Sequence, residues 1–150
     1  MDYAVGTIGR ILFVRIDHGE NPIEELRKLA VKEEIKQANI TLLGATGDAR
    51  FVSGPKEKKL PPEVIWTELS DVTEVLGIGN ILWEENEPKI HLHTSFGNKK
   101  ETKLGCLREE ATTYIVIEAV IIEITGFNSK RTHDKRLGAS IVTFQPKTQI

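Results

Sequence analysis

The chain has 150 residues, 39% hydrophobic and 28% charged, with a formal net charge of −2. These totals suit one soluble domain over residues 1–150, long enough to bury a true core, and they exclude a chain drawn to nucleic acid by overall charge. The single cysteine excludes an internal disulfide, the opening MDYAVGTIGRILFVRI lacks the plan of a signal peptide, and no apolar run approaches the roughly 18 residues of a membrane span, so the expected setting is reducing, cytoplasmic and away from membranes.

The first predicted element is a strand at residues 8–16, IGRILFVRI, rich in β-branched and aromatic types. A helix follows. Asn21 can cap it, Pro22 suits its first position, and Glu24 stands three residues after the cap. Ile23, Leu26, Leu29 and Ala30 form an apolar stripe at helical spacing, and Glu25, Arg27, Lys28, Lys32 and Glu33 form a solvated face. The helix is expected to end near Glu34. ANITLLGATGDARFVSG reads as a strand in which Gly44 and Gly47 mark a bulge or a close backbone approach. GPKEKKLPPE is a polar loop with KEKK at its tip. From Val64 onward the chain turns strand-rich: EVIWTEL, TEVLGIGNILWEE, KIHLHTSF, ETKLGCL, TTYIVIEAVIIEITGF and ASIVTFQ. ENEP is the turn of a hairpin, and GNKKE joins KIHLHTSF to the strand ending near Leu107. NSKRTHDKR, with Lys130, Arg131, His133, Lys135 and Arg136, reads as a solvated basic loop, with an anion site as the competing reading. One early helix followed by strands on short connections predicts an α+β fold, a mainly antiparallel sheet covered by the N-terminal helix.

Gly77-Ile78-Gly79 lies inside a strand pattern, so tight sheet packing explains it better than a phosphate cradle. No G-x-G-x-x-G opens a helix and no Walker A sequence occurs. There is no nucleophile elbow, and no Ser–His–acid set follows from spacing.

The chemistry concentrates at KIHLHTSFG. Alternation on a strand puts His91 and His93 on one face and Ile90, Leu92 and Thr94 on the other. Two imidazoles so placed can chelate one ion, and zinc, iron, nickel and copper all accept that ligand. The plainer reading is two part-exposed histidines on a polar face. Cys106 lies thirteen residues after His93, across a hairpin that turns near Gly97–Lys100. A thiolate with two imidazoles is a recognised zinc set that leaves a fourth position for another ligand. Here the plainer reading is a small buried hydrophobe. His18 lies in a turn. Glu74, Glu118 and Glu123 are carboxylates on strands, any of which could act as a general base if it reached the site.

RILFVRIDHGENPIEELRKLA, ANITLLGATGDA, VTEVLGIGNI, KIHLHTSFG, LGCL and TYIVIEAVIIEI, in that order, resemble the PPC domain of plants and prokaryotes over about residues 8–144. The resemblance implies a largely antiparallel sheet fold assembled as a homotrimer. The family pattern follows H-x-H with a strand bearing G-G-H-L; here that strand reads Leu104-Gly105-Cys106-Leu107. Cys106 thus replaces an imidazole with another zinc-competent donor. Plant members carry an AT-hook, whose Arg-Gly-Arg core is missing from this chain, so direct DNA binding is not carried over.

The expected function is a zinc-binding, self-assembling module serving assembly or ligand sensing, with a small-molecule ligand as a further partner. A metal-dependent hydrolase using zinc-activated water is the alternative, and a DNA-associated regulator is a third reading.

Overall fold

The computed structural model describes residues 1–145. In chain order its elements are β1 (Thr7–Asp17), α1 (Pro22–Lys32), β2 (Gln37–Pro55), β3 (Val64–Leu69), β4 (Thr73–Glu84), β5 (Glu87–Gly97), β6 (Thr102–Thr125), β7 (Asn128–Asp134) and β8 (Ala139–Gln145). Every pairing is antiparallel, as the short connections predict. The main sheet runs β1-β6-β5-β4-β2-β3, and β6 also pairs with β2. That last pairing closes β2, β4, β5 and β6 into a four-strand ring, with β1 and β3 as flaps on β6 and β2.

The two sequence runs ETKLGCL and TTYIVIEAVIIEITGF are one strand, β6. Its first half pairs with β5 and with the end of β2, its second half with β1 and the start of β2. The change of partner falls at bulges. Opposite the bulge, Gly44 has φ +141 and lies so close to β6 that a Cβ would sit 2.3 Å from the Val116 carbonyl oxygen. This is the close approach its position in ANITLLGATG predicts. Across from it Ile115 takes φ 63, a left-handed value rare for a β-branched residue. Its side chain and that of Tyr114 turn out to solvent. NSKRTHDKR is not a solvated loop: most of it is β7, paired with β8 in a hairpin beside the main sheet. Its polar composition hides the strand, because one inward residue, Arg131, is a cation rather than an apolar side chain.

Inward residues of the ring alternate as a half-buried strand requires: Ile40 and Leu42 on β2, Val75 and Ile81 on β4, Leu92 and Phe96 on β5, and Ile117, Ala119 and Ile121 on β6. Gly79 also points inward. A Cβ there would lie 2.2 Å from the His91 carbonyl oxygen, so the absent side chain lets β4 and β5 lie close. Helix α1 buries Ile23, Leu26 and Ala30 in the same core. The Asn21 side-chain oxygen accepts from the Ile23 and Glu24 backbone N–H groups at 2.9 and 3.3 Å, and Pro22 begins the first turn. The helix stops at Lys32, slightly before the predicted Glu34, which has φ 54.

The outer face is different. Phe13, Leu43, Leu76 and Ile78 are all more than half exposed. Register connects them into one surface: Phe13 opposes Val120, Val120 opposes Thr41, Thr41 opposes Ile78, and Ile78 opposes His93.

Candidate metal centre

Strand β5 sets the histidines by parity. Leu92 and Thr94 point into the core, at 0% and 1% exposure, so His91 and His93 must emerge on the outer face. Strand β6 then brings in the sulfur. The β5–β6 register places His93 directly opposite Cys106, and Cys106 in turn opposes Val52 of β2. The two Nε2 atoms stand 3.2 Å apart, with ring centroids at 5.0 Å and planes at 73°. The ligand atoms of His91, His93 and Cys106 all lie within 4.8 Å of one another. Burial is graded across the set: Cys106 is buried, His91 half-buried and His93 exposed.

The donor set suits a tetrahedral soft-to-borderline ion. Two nitrogens each about 2.0–2.1 Å from zinc are separated by about 3.3 Å in tetrahedral geometry, close to the 3.2 Å found here. Electrostatics act oppositely on two of the donors. Burial pushes the His91 pKa down from 6.5 to about 4, helped by Arg131, His93 and Arg108. Its imidazole is therefore neutral at physiological pH, the form that ligates. Burial raises the Cys106 thiol, while Arg108 and Arg131 pull it back down.

The lowered His91 value has a measurable consequence in metal-free protein. The unfolded chain takes up this proton near pH 6.5 and the folded chain only near pH 4. Stability from keeping His91 neutral is therefore complete above about 6.5 and lost as pH falls toward 4, amounting to about 3 kcal/mol. Denaturant melts of chelator-treated protein across that window should show a decline that His91→Gln flattens. Parallel declines in the two proteins would contradict it.

Two hollows meet at His91. One, of about 290 Å³, contains the set itself and is walled by Val52, Gly54, Pro55, Val64, Leu104 and Arg108. The other, of about 420 Å³, is polar and is lined by His91 and by residues of α1, β4, β6 and the β7–β8 hairpin.

The other sequence candidates lie elsewhere. His18 accepts the Ile115 N–H through Nδ1 at 3.2 Å and meets the Tyr114 ring edge-on. Glu123 is held by Arg10 at 2.9 Å. Glu118 opposes Leu43 on the outer face, and Glu74, at the start of β4, opposes Gly97. None of the three carboxylates joins the His–His–Cys set. His133 is on β7 and lines the second hollow. Sequence reasoning passed over Arg108 and Glu84, which also line that hollow. Arg108 could have been found, since it lies two residues after Cys106 on the same strand.

The sequence and the fold together mark a known class. The chain belongs to the Plants and Prokaryotes Conserved (PCC) domain family, whose sequence model matches residues 3–125. No curated protein matches the chain significantly. Among solved structures, a metal-containing protein of Archaeoglobus fulgidus superposes with a TM-score of 0.83 at 22% identity, over 94% of this chain and 98% of its own. A plant- and prokaryote-conserved protein of Pyrococcus horikoshii gives 0.81 at 24% identity, over 99% and 100%. A candidate DNA-binding protein of Bacteroides thetaiotaomicron gives 0.76 at 20% identity, over 94% and 99%. At these identities the likeness establishes the fold. Among the described residues no helix is long and apolar enough to cross a membrane.

Proposed function

We propose that this chain is a zinc-binding module in which His91, His93 and Cys106 hold the ion, assembled as a homotrimer, with a role in assembly or ligand sensing. The observation that carries the metal reading is the convergence of two imidazole nitrogens and one sulfur within 4.8 Å. The metal-containing description of the Archaeoglobus relative supports it. When bound, zinc supplies a Lewis acid and a position open to a further ligand. The residues of this chain supply the donors, and His91 connects them to the second hollow.

Elemental analysis of the purified protein is expected to find about one zinc per chain. His91→Ala and His93→Ala should each bring it close to zero after dialysis. Unchanged metal content in both variants would sink the proposed ligands.

Support for self-assembly is the apolar outer face. Phe13, Leu43, Leu76 and Ile78 lie exposed on adjoining strands, and a cluster of exposed apolar side chains of this kind suits an interface between copies. Light scattering should give three times the 16.8 kDa chain mass, and Ile78→Asp should lower it. A wild-type monomer mass would remove the trimer. A metal-dependent enzyme is the second reading, favoured by Glu84, a carboxylate that lines the second hollow with His91. Direct DNA binding is favoured by the description of the Bacteroides relative and opposed by the net charge of −2.

A further inference from the structure

The second hollow is not neutral. Four cations face it from four elements: Arg27 of α1, Lys89 of β5, Arg108 of β6 and Arg131 of β7. Glu84 of β4 is the one carboxylate among its lining residues. Lys89 pairs with Glu87 at 3.1 Å, but the three arginines are left without the carboxylate partners that arginines have elsewhere in this chain. Arg10, Arg15 and Arg50 all pair with carboxylates. Among the described residues Arg27 and Arg108 pair with none. Arg131 is only 8% exposed, and its hydrogen bonds go to neutral acceptors, the Ser140 carbonyl at 3.0 Å and Asn80 Oδ1 at 2.7 Å. Its Nε has no partner. Burying a guanidinium is costly unless opposite charge offsets it, and here one carboxylate, Glu84, faces four cations, which leaves an excess of positive charge that an anion would balance.

The form of the wall points the same way. Guanidinium groups present planar donor forks matched to carboxylate and phosphate oxygens. The volume, about 420 Å³, suits a small molecule. Ser140 Oγ donates to Glu84 Oε1 at 2.5 Å, which occupies one of that carboxylate's acceptor positions and fixes it against the hairpin. The hairpin that contributes Arg131 and Ser140 lies beyond residues 3–125, the span the family model matches.

We propose that this hollow is an oxyanion site for a small molecule bearing a carboxylate or a phosphate, built where the β7–β8 hairpin meets β4, β5, β6 and α1. It requires no metal. Because His91 lines both hollows, an anion held here lies beside the His–His–Cys set, and a ligand long enough could reach both.

Calorimetric titration of the chelator-treated full chain, with inorganic phosphate and with succinate as probes, tests the site. At least one probe should bind saturably; which of them binds more tightly names the chemistry. Arg108→Gln and Arg27→Gln, at positions outside the core, should each weaken binding about tenfold, as expected for loss of a charge-assisted contact. Glu84→Gln, which keeps an acceptor for Ser140, should tighten it. Cys106→Ser should leave it unchanged, so this site and the metal reading can fail separately. Absence of saturable binding by either probe overturns the proposal. So does binding that survives both arginine substitutions, or binding that Cys106→Ser abolishes while Arg108→Gln does not.

Discussion

Cys106→Ser is expected to weaken zinc binding by about 100-fold or more while the protein stays folded. Changes to groups that merely support metal ligands cost about 10–100-fold; loss of a direct ligand should exceed that. A serine hydroxyl is a poor substitute, because a bound zinc ion deprotonates a thiol outright and prefers the softer sulfur donor. The side chain is small and sits at the outer face opposite His93, so the core beneath has little to repack. Competition against a chromophoric chelator would measure the change. Wild-type affinity in the serine variant would sink the role of the sulfur. Cys106→His offers the reciprocal test: it restores the imidazole that the resemblance to the family's G-G-H-L strand implies, and it should keep zinc bound.

Phe51→Ala should destabilise the fold by about 3–5 kcal/mol, the usual cost of emptying an aromatic site in a core. Phe51 is 0% exposed and stacks on Phe96 across the ring, with centroids 4.8 Å apart and planes 25° from parallel. It also presses on the strand that bears the sulfur: a Cβ on Gly105 would lie 2.2 Å from the Phe51 ring. The resulting void would therefore open against Gly105, next to Cys106 in the chain. Denaturant unfolding should show the loss, with a melting temperature lower by roughly 10 °C. A loss below about 1 kcal/mol would mean that the ring collapses around the gap and that Phe51 is not its anchor.

The candidate site was largely legible in the sequence because it rests on two short-range rules. Strand parity puts His91 and His93 together, and a tight turn after Gly97 returns Cys106 to His93. Both depend on counting residues over a short span. Ring closure was not legible. It depends on β6 pairing also with β2, from a distant part of the chain, and nothing local records which partner a strand takes beyond a bulge. The glycines were informative: Gly44 and Gly79 do mark close approaches, as their places inside strand patterns suggest. The basic run misled, because Lys130, Arg131 and His133 read as a solvated surface until the hairpin turns Arg131 inward. The carboxylates Glu74, Glu118 and Glu123 could not be assigned from spacing, and they lie apart from one another.

Closure of β2, β4, β5 and β6 also bears on what an ion would do to this protein. The backbone at His93 and Cys106 is paired on both flanks and that at His91 on one, so the donors converge before anything binds. In small zinc domains the ion recruits its ligands and, in doing so, folds the chain. Here the hoop of strands has already assembled them. Arrival or departure of a cation would therefore be a quiet local event at the exposed His93 rim, leaving the architecture as it was, and occupancy could vary with supply without endangering the molecule.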